Sequence, residues 1–180
     1  DPENIPYRKL WEVLSWAVDH SVHNIFRLNE RIAKGEFTEI VRETDDAYEK
    51  DVDDAAAKIL QQRDKIRVVI IAGPSSSGKT TTTVKLGERL KRADLSLVAL
   101  NVDHYFYDLE MHPRDEYGDY DFETPQALDL DLINEHLQRL IAGERVMIPR
   151  YDFKTGKRQL EATPMKVEQN EIILIDSLHG

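Results

Sequence analysis

Three short apolar segments alternate with helical patterns in the last two thirds of the chain. Residues 66–72, 95–103 and 170–180 each contain a run of aliphatic side chains with the length of a buried strand, and the first run is β-branched. Apolar positions recur at helical spacing after the first run, and again between Thr124 and Gly143, where Thr124 and Pro125 predict a helix start. Strands that alternate with helices predict an α/β fold with a mainly parallel sheet.

The first third of the chain has a purely helical pattern. From about residue 6 to residue 34, apolar side chains recur at helical spacing and Gly35 is a plausible stop, which indicates one long helix or two shorter ones. Residues 36–65 are rich in charge, and the alanines at 55–57 favour a helix with a solvated acidic face. We therefore expect a helical extension over residues 1–64 and a core over residues 65–180.

Composition and charge narrow the classes of function. The 180 residues carry a net charge of −10 and include no cysteine. The charge argues against a nucleic-acid partner, because binding to a phosphate backbone needs a basic surface. No apolar stretch approaches the roughly 18 residues of a membrane span, so we expect no membrane partner and a location in the cytoplasm. The absence of cysteine excludes disulfides and thiolate metal sites, and agrees with a reducing compartment.

The segment "GPSSSGKTTTT" follows the first predicted strand and fits the phosphate-binding pattern G-x-x-x-x-G-K-[ST]. Glycines allow the backbone to approach a ligand closely, and successive N–H groups form an anion-binding nest. Lys79 can reach the outer phosphates, and the hydroxyl of Thr80 can bind Mg²⁺. The candidate residues for binding the phosphates of ATP are Gly73, Ser75, Ser76, Ser77, Gly78, Lys79, Thr80 and Thr81.

An aspartate stands at the end of each of the other two predicted strands. Ligands of open parallel sheets bind at the carboxyl ends of the strands, so Asp103 and Asp176 are candidates for chemistry. Phosphoryl transfer to a hydroxyl needs Mg²⁺ and a carboxylate that takes the proton. Asp103 is the better candidate base, because an aromatic loop able to form an acceptor pocket follows it from Tyr105 onwards. Lys79 is the second candidate catalytic residue. The candidate metal ligands are Thr80, Asp103 and Asp176; the alternative for either aspartate is a helix cap or a solvated loop residue.

Five segments together resemble the uridine kinase and phosphoribulokinase family. They are "GPSSSGKTT", "NVDHYF", "HPRDEYGDYDFETPQALDLDLINEHL", "IPRYDFKTGKR" and "ILIDSLHG", in the family's order between residues 67 and 180. The resemblance is greatest to bacterial uridine kinase-like proteins that carry extra domains before the kinase. It implies the three-layer α/β/α fold of P-loop NTPases, preceded here by the helical segment, with ATP and Mg²⁺ as cofactors. The family continues past the last of these motifs, so we expect a core that is truncated at its C terminus.

The resemblance also implies roles for individual residues. Asp103 would activate a ribose 5′-hydroxyl, and Phe122 and Glu123 would lie beside the acceptor sugar. Tyr151 and Phe153 would flank a base or a comparable planar group. Together with Tyr105 and Arg158, these residues form the predicted acceptor-binding set. Two positions differ from the family pattern: Gly156 stands where uridine kinases have a histidine that reads the pyrimidine, and Asp176 stands where a glutamate is usual.

Three functions are therefore open. The first is an ATP-dependent kinase that acts on a hydroxyl of a nucleoside or another small molecule. The second is a non-catalytic, ATP-binding regulatory module, favoured by the difference at Gly156. The third is a phosphoribulokinase-like enzyme acting on a sugar phosphate, for which the basic residues Arg150, Lys154, Lys157 and Arg158 could bind the acceptor. The sequence leaves homo-oligomerisation open.

Overall fold

The computed structural model describes residues 6–73 and 76–177. These residues fall into two compact units, Asp1–Asp51 and Val52–Gly180, which are described separately. The boundary between them lies inside a long helix, so the division expected after residue 64 stays a prediction. Within the described ranges, no helix is long and apolar enough to cross a membrane.

The first unit contains helices α1 (Tyr7–Asp19) and α2 (Ile25–Ala33) and the first part of α3 (Phe37–Gln61). The predicted helical stretch therefore forms two helices, and the second begins because Asn24 caps it by accepting a hydrogen bond from the backbone N–H of Arg27. Gly35 follows α2 with a left-handed φ of 82°. The side chain of Arg31 donates to Glu36 and to Glu43, each at 2.7 Å, and so ties α2 to α3.

The second unit has a three-stranded parallel sheet and a separate antiparallel hairpin. Its strands are β1 (Val68–Ala72), β2 (Ser96–Leu100), β3 (Val146–Asp152), β4 (Lys157–Met165) and β5 (Glu171–Ser177), and its other helices are α4 (Lys79–Lys91) and α5 (Leu130–Ile141). The parallel sheet has the order β1-β5-β2, and β3 pairs with β4. The predicted α/β fold with a parallel sheet is confirmed.

The strands differ in burial. In β5, the side chains from Ile172 to Ile175 are at most 6% exposed, as expected of a central strand. The equal burial predicted for the first strand is wrong, because Ile70 in β1 is 52% exposed. Among the described residues β1 is an outer strand that pairs with β5, so the local run of apolar residues could not reveal its exposure.

Helix α5 begins later than the Thr124–Pro125 signal predicts. Pro125–Ala127 forms one turn of 3₁₀ helix, and Leu128 then takes an extended conformation that bridges to Phe106. Asp129 is the actual N-cap, since its carboxylate accepts a hydrogen bond of 3.1 Å from the backbone N–H of Leu132. The helix packs against β3 and the 3₁₀ turn Val102–Tyr105.

A buried hydrogen bond stands in the core of the second unit. The hydroxyl of Tyr105, a residue with no exposed surface, lies 2.9 Å from Nδ1 of His136 on α5. Burial raises the pKa of Tyr105 and lowers the pKa of His136, so both groups are uncharged near neutral pH. The surrounding apolar residues are Leu100, Val102, Leu140, Val146, Ile148, Val167, Ile173 and Ile175.

Substitution of Gly156 tests the packing of the hairpin turn. Gly156 has a φ of 66°, and a Cβ there would lie 2.7 Å from Cβ of Leu109. Gly143 has a φ of 81° and open space around its Cα. Both changes to alanine incur the left-handed strain of about 1–2 kcal/mol. We expect Gly156→Ala to lower the free energy of unfolding, measured with urea, by a further ~1–3 kcal/mol, because Leu109 must move. Equal losses in the two variants would contradict this packing.

Candidate functional site

The described part of the predicted phosphate-binding loop contains two residues with left-handed backbone angles. Gly78 immediately precedes α4 with a φ of 88°, and Ser76 has a φ of 60°. A Cβ at Gly73 would lie 2.9 Å from Oγ of Ser77, so the backbone at Gly73 packs closely against that side chain, whereas Gly78 has open space around its Cα. Nζ of Lys79 donates a 2.7 Å hydrogen bond to the carbonyl of Gly73.

Thr80 and Thr81 occupy the exposed first turn of α4, and the backbone N–H groups of this turn favour the binding of an anion. Ser75, which was also predicted to bind phosphate, lies outside the described residues.

The sheet brings both candidate aspartates to the edge where this loop begins. Asp176 in β5 is paired in register with Ile71 of β1, one residue before the strand ends. Asp103 follows β2 in the turn Val102–Tyr105, where the side chain of Asn101 accepts a hydrogen bond of 2.9 Å from the backbone N–H of Asp103. Because all three strands are parallel, their carboxyl ends share one edge.

Asp103 has a perturbed acidity. Although its surface is exposed, the surrounding protein removes enough water to raise the pKa of its carboxyl group above the ordinary value. The negative charge of Asp176 raises this pKa further, and the neighbouring His104 opposes the increase. The two carboxylates are thus close enough to repel each other, and a cation between them would relieve the repulsion.

The donors at this edge fit Mg²⁺. All are oxygen atoms, and protein Mg²⁺ sites commonly use one or two carboxylates, with the remaining ligands supplied by phosphates and water. Asp103 and Asp176 would supply the carboxylates, and Thr80 would supply a hydroxyl. Over the ranges that the structure covers, no group of three or more histidine, aspartate or glutamate side chains is arranged to hold a metal alone.

Three of the predicted acceptor residues lie together in an aromatic cluster. The ring centroids of Tyr151 and Phe153 are 5.0 Å apart, and those of Phe122 and Phe153 are 6.2 Å apart. Phe106 lies in the middle, 5.3 Å from Phe122 and 5.5 Å from Tyr151, and His112 lies 4.7 Å from Phe122. We call Phe106, His112, Phe122, Tyr151 and Phe153 the aromatic cluster.

Phe106 and His112 were not predicted. The run "HYFY" marks the region of Phe106, but no periodicity there identifies which of its rings joins the aromatic cluster. His112 lies in an irregular loop, with no sequence signal that distinguishes it. Glu123 follows Phe122 in a turn in which the carboxylate of Asp121 accepts a 2.8 Å hydrogen bond from its backbone N–H.

The structure does not bring Tyr105 and Arg158 into this cluster. Tyr105 is fully buried in the core, so its side chain would have to move out of the core in order to contact an acceptor. The guanidinium of Arg158 forms a 2.9 Å ion pair with Asp129 and also donates to the carbonyl of Tyr105 at 3.3 Å. Both residues therefore fasten the turn after β2 to α5 and β4.

A second set of contacts fastens the loop after Asp103 to the hairpin. The carboxylate of Asp108 accepts a hydrogen bond of 2.8 Å from the backbone N–H of Arg158 and pairs with Lys157 at 3.2 Å. Lys157 also pairs with Glu110, and the backbone N–H of Leu109 donates to the carbonyl of Gly156 at 2.8 Å. The segment that carries His112 is thereby held beside the turn of the hairpin.

The tight loop before α4, the parallel strand order and the two aspartates at one edge define the class as P-loop kinases. The sequence model of the phosphoribulokinase / uridine kinase family matches residues 68–180, and the chain belongs to this family.

Individual relatives agree with this assignment. The uridine kinase of Bacillus cereus (strain B4264) is 35% identical over 111 residues, which are 62% of this chain and 50% of the relative. The uridine kinase of Oceanobacillus iheyensis is 32% identical over 62% of this chain and 51% of its own length. The chain therefore spans about half the length of the curated relatives it matches. A solved structure described as a possible uridine kinase from Bacillus stearothermophilus shares the fold, with a TM-score of 0.54 and 22% identity over 69% of this chain and 68% of that one.

The raised pKa of Asp103 leads to a prediction about stability. A carboxyl group whose pKa is higher in the folded protein favours folding only while it is protonated, and this contribution is lost as the pH rises through the folded pKa. With EDTA present, we expect Asp103→Asn to have a higher Tm than the parent protein at pH 7. The difference in Tm should shrink as the pH falls towards about 3, where the carboxyl group of Asp103 becomes protonated in both the folded and the unfolded protein. A lower Tm for the variant at pH 7, measured by differential scanning fluorimetry, would contradict the assigned electrostatics.

Proposed function

We propose that the protein transfers the γ-phosphoryl group of ATP, with Mg²⁺, to a hydroxyl of a nucleoside. The observation that carries the proposal is the shared sheet edge at which the phosphate-binding loop, Asp103 and Asp176 meet. The aromatic cluster adds apolar ring faces next to the turn that carries Asp103. The absence of cysteine agrees with a reducing compartment, and we place the reaction in the cytoplasm.

Each group has a separate task in this reaction. The loop N–H groups and Lys79 hold the phosphates of ATP. Thr80 and Asp176 would supply oxygen ligands to Mg²⁺ in addition to those of the phosphates. Bound Mg²⁺ supplies neutralisation of the phosphate charge. Asp103 accepts the proton of the attacking hydroxyl, because it follows β2 at the edge of the sheet where the phosphate-binding loop begins.

Two of the four basic residues considered for a sugar phosphate, Lys157 and Arg158, are already paired with carboxylates, which favours a neutral acceptor at their positions. Lys157 is paired with Asp108 and Glu110, and Arg158 is paired with Asp129. A phosphorylated acceptor would have to displace these carboxylates in order to use either cation. The faces of the aromatic cluster instead suit a planar group, and the curated relatives named above are uridine kinases.

The substitution Asp103→Asn tests the proposed base. We expect it to lower turnover by about 10² to 10⁴-fold and to leave ATP affinity nearly intact, because asparagine keeps the shape but cannot accept the proton. Turnover is measured as ADP and phosphorylated nucleoside in the longest natural form of the protein. Asp131→Asn, which removes an exposed carboxylate on α5, is the matched control and should keep its turnover. Unchanged turnover in Asp103→Asn would remove Asp103 from the role of base.

A screen of nucleosides and sugar phosphates with ATP and Mg²⁺ separates the three functions. We expect product from a nucleoside, and loss of both ATP binding and product in Lys79→Ala. Turnover of a sugar phosphate alone would favour the phosphoribulokinase-like enzyme. Binding of ATP that requires Lys79, without product from any compound, would favour a non-catalytic module.

A further inference from the structure

The carboxylate of Asp103 has no hydrogen-bond partner among the described residues. The backbone N–H of Asp103 donates to the side chain of Asn101, but neither carboxylate oxygen accepts a hydrogen bond within the described ranges. A base in an active site is commonly oriented by a hydrogen bond from a further group. Here the position of the carboxylate depends instead on the backbone of the turn Val102–Tyr105.

This turn is held mainly by contacts outside itself. It is a single turn of 3₁₀ helix, in which hydrogen-bond geometry is poorer than in an α-helix. The carbonyl of Tyr105 accepts a hydrogen bond of 3.0 Å from the backbone N–H of Asp129, the N-cap of α5. The backbone N–H of Tyr107 donates to the carbonyl of Ala127 at 3.0 Å. The backbone of the turn is thus attached to the segment that begins α5.

The side chain of Tyr105 adds an attachment farther along the same helix. Its hydroxyl lies 2.9 Å from Nδ1 of His136, which is about two helical turns beyond Asp129. Burial raises the pKa of Tyr105, so the hydroxyl stays protonated and donates while Nδ1 accepts. The two rings meet edge to face, with centroids 5.6 Å apart at an interplanar angle of 70°. Helix α5 therefore holds Tyr105 at its carbonyl and at its hydroxyl.

The hydrogen bond contributes direction more than stability. Replacing both partners of a buried hydrogen bond by apolar groups of similar shape can leave the stability of a protein nearly unchanged. Apolar contacts are non-directional, whereas a hydrogen bond weakens steeply when its angle changes. The bond between Tyr105 and His136 therefore fixes how the tyrosine ring, and the turn that carries it, is oriented on α5.

We propose that His136 is a positioning residue, which acts through Tyr105 to hold the carboxylate of Asp103 at the edge of the parallel sheet. This inference rests on the proposed function, because it takes Asp103 as the group that accepts the proton. His136 is buried in the core and takes no direct part in the transfer of the proton or the phosphoryl group. Displacement of a reacting group by about 1 Å can lower a rate by about 10²-fold, so a small loosening of the turn should lower kcat.

Two substitutions of similar shape separate positioning from packing. His136→Asn can place its side-chain oxygen near the position of Nδ1 and still accept from Tyr105. His136→Leu has the same branched shape but no acceptor. Both variants lose the imidazole ring, and we expect His136→Asn to have the lower Tm, because burial of an amide is costly. Turnover is measured with ATP, Mg²⁺ and uridine in the longest natural form of the protein, well below the lower Tm.

We expect His136→Leu to lower kcat about tenfold or more, with the KM values for ATP and uridine nearly unchanged. His136→Asn should keep most of the kcat of the parent protein, so that kcat follows the presence of the acceptor and not the Tm. Tyr105→Phe, which removes the donor, should lower kcat as much as His136→Leu. When Asp103→Asn is already present, His136→Leu should cause no further loss of turnover, because no base is left to position.

Hydrogen exchange supplies a readout that does not depend on catalysis. The backbone N–H groups of Tyr107 and Asp129 donate to Ala127 and Tyr105, and they report whether the turn stays attached to α5. Both groups should exchange faster in His136→Leu than in His136→Asn, although His136→Leu is expected to have the higher Tm.

Equal kcat values in His136→Leu and His136→Asn would overturn the inference, and so would equal exchange rates. A loss of turnover in His136→Leu that persists at full size when Asp103→Asn is present would overturn it as well, because the effect would not pass through Asp103. The proposed function fails by a different result, which is that the parent protein forms no phosphorylated nucleoside. In that case the exchange rates still decide whether Tyr105 and His136 hold the turn.

Discussion

The parallel pairing of β5 with both β1 and β2 is the constraint on which the rest of the second unit depends. The four aliphatic residues from Ile172 to Ile175 are buried on both faces of the sheet, and β5 is the central strand, between β1 and β2. In register, the pairing sets Asp176 opposite Ile71 and Ile175 opposite Leu100. The ends of the three strands therefore coincide, and chemistry encoded at three distant points of the sequence meets at one edge.

Around this edge, the charges are arranged in a complementary way. Asp103 and Asp176 repel each other, whereas Lys157 and Arg158 of the hairpin are held in ion pairs with the loop and with the N-cap of α5. Negative charge is thus left available where a metal ion would bind. Lys79 is the cation that the loop itself contributes, and its Nζ donates a hydrogen bond to the carbonyl of Gly73. The separation of charge supports transfer to an uncharged hydroxyl.

The sequence predicted what depends on neighbours along the chain. The phosphate-binding loop and the helix after it follow from a pattern of fixed spacing, and the strand before Asp176 follows from a continuous aliphatic run. The sequence did not predict the contacts between segments that are distant along the chain. The exposure of Ile70 depends on which strands flank β1, and the start of α5 at Leu130 depends on the pairing of Leu128 with Phe106.

In the candidate site, too, local patterns were predictable and contacts between distant segments were not. Phe122, Tyr151 and Phe153 lie together, but Tyr105 and Arg158 are used to hold the core and the turn after β2. The hairpin of β3 and β4 was not predicted, because a register shift between Ile148 and Arg150 interrupts the alternation of buried and exposed residues. His112 could be found only from the fold, since a tertiary contact between Leu109 and Gly156 positions its loop.

The central claim is that Asp103 receives the proton of an acceptor hydroxyl at the edge of the parallel sheet. A crystal structure of the longest natural form with Mg²⁺, a non-hydrolysable ATP analogue and uridine tests it most directly. The account predicts a carboxylate oxygen of Asp103 within about 2.6–3.2 Å of the ribose 5′-hydroxyl, with the uracil ring against the aromatic cluster. A uridine bound elsewhere, or a 5′-hydroxyl whose nearest base is a residue other than Asp103, would contradict it.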